Sequence, residues 1–138
     1  MARETHVNCL EKEQFVGIDE TRHAVVISSQ NEENGIGMNP SSLLSVSLGG
    51  CTSYDVVNIL RKKRQPLTGL EVRVSGEQDE GPPWRFRKID VHYIGRGRGL
   101  QEKAVRDASQ LSEEIYGSVS GTLRDVVEIT YDYEIAEA

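Results

Sequence analysis

The stretch LGGCTSYDVVNIL, Leu48–Leu60, decides the fold. It has the apolar spacing of a helix, yet it sets two adjacent glycines directly before a cysteine. A glycine in a helix interior costs about 1 kcal/mol relative to alanine. Two in succession need a compensating gain: close approach of another backbone, or an opening through which a ligand reaches the Cys51 sulfur. Just upstream, Asn39-Pro40 reads as a helix start, because asparagine caps and proline at the first helical position loses no needed N–H. Apolar residues follow at Leu43, Leu44, Val46, Leu48, Tyr54, Val56, Val57, Ile59 and Leu60. They cover most of the circumference, which marks a buried helix. The cations of RKKR (61–64) suit the negative end of the helix dipole, and Pro66 prevents continuation. From Pro40 to Arg64 such a helix is about 36 Å long, a central element that the rest of the chain must surround.

The flanking segments supply that surround. Residues 3–29 read as a hairpin with DETR (19–22) as its turn, and NEENGIGMN (31–39) as a loop. The alternating runs LTGLEVRVSGEQ and RFRKIDVHYIGRG form a second hairpin across DEGPPW (79–84). From Leu100 to Tyr116, Leu100, Ala104, Val105, Ala108, Leu111 and Ile115 share one helix face. SVSGTLRD starts a short helical turn at Ser118, and VVEITYDYEI is a last strand. The order β-β-α-β-β-α-α-β predicts an α+β class with a largely antiparallel sheet. The length fits a single domain over residues 1–138.

Composition narrows the function. The chain has 16 basic and 22 acidic residues, a net charge of -6. No basic half offsets this, so nucleic acid is not an expected partner. RKKR reads as a solvated helix end, and Arg85, Arg87 and Lys88 around Trp84 and Phe86 as an outward strand face. No apolar run reaches membrane-crossing length, and the N-terminus lacks an apolar leader, so no membrane partner is expected. Two cysteines, Cys9 and Cys51, make no disulfide framework and point to a reducing cytoplasm. His6, His23 and His92 are scattered, without metal-ligand spacing. Within a helical turn of Cys51 lie Ser47, Ser53, Tyr54 and Asp55, groups able to hydrogen-bond a thiol. An inert cysteine in a tight helix crossing satisfies the same pattern. Cys9 falls in the first strand, where packing or a resolving role toward Cys51 would each account for it.

The run MNPSSLLSVSLGGCTSYDVVNILRKKRQPLTGLEVRVSGE resembles the OsmC/Ohr family of osmotically induced and organic-hydroperoxide-resistance proteins. The later segment IDVHYIGRGRGLQEKAVRDASQLSEEIYGSVSGTL resembles the family's second half. The resemblance implies an intertwined homodimer, with antiparallel sheets wrapped around long central helices. It also implies a chemistry in which a thiolate attacks an organic hydroperoxide, becomes a sulfenic acid, and is resolved by a second cysteine. Cys51 matches the attacking cysteine. Gly117 stands where the second cysteine is expected, and Ser41 and Ser42 stand where many relatives carry a glutamate. Arg22 lies in the turn corresponding to the one whose arginine serves the thiolate. Cys9, or an external thiol or dithiol, is then expected to resolve Cys51, with no bound cofactor. Two functions stay open. One is thiol-dependent reduction of organic hydroperoxides through Cys51. The other is a non-catalytic dimer that binds a small apolar or electrophilic ligand.

Overall fold

The computed structural model describes residues 2–136 of the chain; Met1, Glu137 and Ala138 of the expected domain lie outside the described residues. The architecture is a mixed α+β fold with two three-stranded sheets and, among the described residues, three α-helices. Contacts divide the chain into two compact units, one ending at Leu44 and one beginning at Ser45.

The first unit carries β1 (His6–Glu11), β2 (Gln14–Ile18) and β3 (Ala24–Ser28) as an antiparallel sheet in that order. The expected hairpin over 3–29 is therefore corrected to three strands. The chain reverses at Lys12, which takes a left-handed φ of 47°; the alternation around it hides the turn. DETR does form a turn. The Asp19 carboxylate accepts the backbone N–H groups of Thr21 and His23 at 3.1 and 2.8 Å. These bonds, the His23 amide first, hold Asp19 below the usual carboxylate range. Asn39 caps α1 (Pro40–Lys62), its side-chain oxygen accepting the Ser42 N–H at 2.7 Å. An 18-residue window of α1 has a mean hydropathy of 1.3. By length and composition alone α1 could cross a membrane, which corrects the expectation that no apolar run is long enough.

The second unit pairs β4 (Gly69–Gln78) with β5 (Phe86–Arg96) as the expected antiparallel hairpin. The chain then runs through α2 (Glu102–Leu111), a π-helical turn (Ser112–Tyr116) and α3 (Ser118–Leu123) to β6 (Glu128–Ala136). β6 pairs with β5 in parallel, so this sheet is mixed rather than antiparallel. The physical reason is the long crossover, which returns the chain to the end of the sheet where β5 began. The core unites Leu48, Val56 and Leu60 of α1, Ile89, Val91 and Tyr93 of β5, and Val105 and Ala108 of α2, all fully buried.

On the other face of β5, His92 lies opposite Asp132. Its Nδ1 is 2.5 Å from Asp132 and its Nε2 3.2 Å from Glu134. The two carboxylates, Asp132 foremost, raise the His92 pKa above 6.5. A raised folded-state pKa stabilises fully below the unfolded value and loses that contribution as pH rises through the folded value. The stability gap between the native protein and His92→Gln is therefore expected to be largest between about pH 5 and 6.5 and to close at higher pH. Urea midpoints across that range check it; a gap independent of pH would refute the pairing.

Candidate functional site

Advancing 100° per residue, α1 divides into three stripes. Leu48, Thr52, Val56 and Leu60 are buried. Gly50, Tyr54 and Arg61 are exposed. Between them run Cys51, Asp55, Asn58 and Lys62. Cys51 is half-buried, and its Sγ lies 3.6 Å from the Oγ of Ser118, the first residue of α3. One turn along, the Ser112 hydroxyl donates to Asp55 Oδ2 at 3.0 Å. The segment 112–118 thus lies alongside the thiol stripe and touches it at both ends.

Beneath this contact is a buried polar cluster. Tyr93 O–H and Ser120 O–H donate to the two carboxylate oxygens of Glu113, at 2.5 and 2.9 Å. Glu113 is 6% exposed. Among the described residues no cation pairs with it; its two oxygens are held by hydroxyls. Burial first, and Glu113 second, push the Tyr93 phenol far above its ordinary pKa, so it remains a donor. The Thr52 and Ser112 hydroxyls also lie near the Tyr93 phenol. The residue after Cys51 and the turn beside it therefore meet at one phenol.

The π-helical turn explains why these groups converge. The Gly117 N–H donates to the Ser112 carbonyl at 2.7 Å, five residues back. A turn this wide adds a residue and rotates everything after it. Ile115, expected on the apolar face of α2, is 62% exposed, while Ser112 and Glu113 are buried. The same closure seals position 117. A Cβ on Gly117 would stand 2.6 Å from the Ser112 carbonyl oxygen. The place where the resemblance expects a second cysteine leaves no room for any side chain.

Of the two glycines, Gly49 alone serves close packing. A Cβ on Gly49 would lie 3.2 Å from Val74 of β4, while Gly50 faces open space. A slot of about 360 Å³ does open beside Val46, Gly49, Gly50, Ser53, Val72 and Val74, but Cys51 does not line it. Both cysteines are free. Cys9 is exposed on β1, with its thiol 3.4 Å from the Lys12 carbonyl. Arg22 sits at a left-handed φ of 69° in the β2–β3 turn. Cys9, Arg22, Ser41 and Ser42 belong to the first unit, Cys51 to the second. The structure brings Ser118 to Cys51, and Asp55 and Ser112 to each other one turn away. Sequence reasoning did not assign Ser118, Ser112, Glu113 or Tyr93 to the site. The available signal was SEEIYGSVS (112–120), three serines and two glutamates in a stretch with helical periodicity.

The family model described as "OsmC-like protein" matches residues 11–132. The chain belongs to this family. It is 35% identical over 124 residues to Protein YhfA of Escherichia coli K12, covering 90% of this chain and 91% of that one. A hypothetical protein from Aquifex aeolicus VF5 superposes with a TM-score of 0.89 at 26% identity, covering 100% of this chain and 98% of that one. The organic hydroperoxide resistance protein OhrB of Bacillus subtilis superposes with a TM-score of 0.64 at 14% identity, covering 97% and 98%. That last likeness is one of fold.

Closure of position 117 has a measurable cost. Gly117→Ala forces its Cβ against a backbone carbonyl, and overpacking of this kind costs about 1–3 kcal/mol. A urea titration should show that loss. An unchanged midpoint would mean that the turn opens freely and that position 117 accepts side chains.

Proposed function

We propose that this OsmC-like chain reduces small organic hydroperoxides through Cys51 as its single reacting thiol, as a homodimer in a reducing cytoplasm. The observation that carries the reading is the half-buried Cys51 in the LGGC segment, facing Ser118, beside a closed position 117. The Cys51 thiolate attacks the terminal oxygen of the hydroperoxide and the O–O bond breaks. Sulfur keeps that oxygen as a sulfenic acid, and the departing alkoxide takes a proton to become an alcohol. An external thiol then displaces water to give a mixed disulfide, and a second thiol releases Cys51. Ser118 is placed to hydrogen-bond the sulfur in either state. No nucleic acid or membrane enters this cycle.

A second reading is a non-catalytic dimer that binds a small apolar or electrophilic ligand. Gly117, Ser41 and Ser42 favour it, since each departs from the pattern of the peroxide-reducing relatives. Intact-mass measurement after one equivalent of an alkyl hydroperoxide separates the two. A gain of one oxygen in the native protein but not in Cys51→Ser is expected. Loss of two hydrogens would assign Cys9 as the resolving thiol. No change within minutes would favour ligand binding.

The dimer rests on the open stripe of α1. Tyr54 is 73% exposed and Val46 52%. Only 28% of the helix's apolar window is buried. Large apolar and aromatic side chains left on an outward helix face favour burial against a partner. Sedimentation velocity at micromolar concentration is expected to give a dimer, and Tyr54→Arg a monomer. A native monomer would remove the proposal.

A further inference from the structure

RKKR (61–64) has no part in the cycle above, yet it ends the helix stripe on which the thiol sits. In a chain of net charge -6 it gathers four cations at one place. Directly along that stripe lies a groove of about 500 Å³ lined by Asn58, Ile59, Lys62, Lys63, Leu111 and Tyr116, with Asp55 at its edge. This is the size of a small-molecule site. Two observations tie it to Cys51. Asp55 and Lys62 follow Cys51 at i+4 and i+11 on one face, an axial span of about 16 Å to Lys62. The chain segment that supplies Tyr116 to the groove supplies Ser118 to the thiol two residues later.

The groove's two ends differ in chemistry. Near the thiol, Asp55 accepts the Ser112 hydroxyl. At the far end, Lys63 lies 3.7 Å from Asp107. Lys62 is exposed and forms no ion pair among the described residues. Between the ends, Ile59, Leu111 and Tyr116 offer apolar surface. A molecule that fits presents an anion to Lys62 and a short organic middle, and extends past Asp55 to bring a sulfur to Cys51, which lies one turn beyond the groove's lining.

We propose that this groove binds a carboxylate-bearing, low-mass thiol, which is the external thiol that resolves Cys51. The inference rests on the reading that position 117 offers no internal resolving cysteine. In the cycle, the bound thiol's sulfur attacks the Cys51 sulfenic acid; an S–S bond forms and water leaves. The same groove serves exchange without peroxide: the Cys51 thiolate attacks a disulfide of that thiol, one S–S bond forms as another breaks, and a thiolate departs.

That exchange is the test. Reduced Cys9→Ser protein is mixed with glutathione disulfide, which is anionic, or with cystamine, which is cationic. The rate of adduct formation on Cys51 is followed by intact mass. The ratio of the two rates is compared with that of Lys62→Gln and Lys62→Glu, both at an exposed position, with the circular dichroism of each variant checked against the native protein. The ratio is expected to fall about five- to tenfold in Lys62→Glu at low salt, less in Lys62→Gln, and to converge for all forms at high ionic strength. A ratio unmoved by either substitution, or a Cys51 that reacts with neither disulfide, overturns the groove assignment. Hydroperoxide is absent throughout, so the two readings fail separately. A lysine-dependent ratio with no oxygen uptake from hydroperoxide leaves the groove and removes the peroxidase. Oxygen uptake with a lysine-independent ratio does the reverse.

Discussion

The site depends on one hydrogen bond, from the Gly117 N–H to the Ser112 carbonyl. It closes a turn one residue wider than an α-helix allows, and wide turns of this kind recur at functional sites. The extra residue turns the chain so that Ser112 faces Asp55, Glu113 faces inward, and Ser118 arrives at Cys51. The carbonyl that accepts this bond also excludes a side chain from position 117. A contact that builds the thiol's surroundings thereby keeps a second thiol out of the same turn.

α1 carries three tasks on three stripes, and the spacing of its residues assigns them. Leu48, Val56 and Leu60 fasten the helix to the second unit's core. Gly49 lets β4 come close. The Cys51 stripe borders that core without entering it, which leaves the sulfur half-buried. The remaining stripe, with Tyr54 at its centre, is open. Under the core-facing side, the buried Glu113 carboxyl is held by the Tyr93 and Ser120 hydroxyls, so the cluster tolerates little loss. A buried carboxylate that loses a donor costs more than an ordinary hydrogen bond contributes.

Much of this was legible in the residues. The Asn39-Pro40 start, the apolar run to Leu60 and the cations after it located α1, because caps and periodicity are local signals. The β4–β5 hairpin and the strand after residue 127 were equally readable. The β1–β2 turn was not, since Lys12 adopts its left-handed backbone without a glycine or asparagine to announce it. The parallel placement of β6 was hidden as well, because strand direction follows from the path of a crossover and not from the strand's own pattern. Ile115 misled for a related reason: helical periodicity assumes an unbroken turn, and the π-helical segment breaks it. The LGGC segment marked Cys51, but nothing local in the sequence ties Ser118 to a cysteine 67 positions earlier.

The parallel pairing of β6 also orders events in time. Every residue of β6 meets a β5 partner 40 positions earlier, as Lys88 meets Glu128. The β4–β5 hairpin closes across a short loop and can form within microseconds. The β5–β6 edge must wait until α2, the wide turn and α3 have been synthesised and folded back, and such distant pairings form slowly. During that interval one edge of β5 lies open on a growing chain. The residues that finish the sheet are thus also those that end its exposure to other chains.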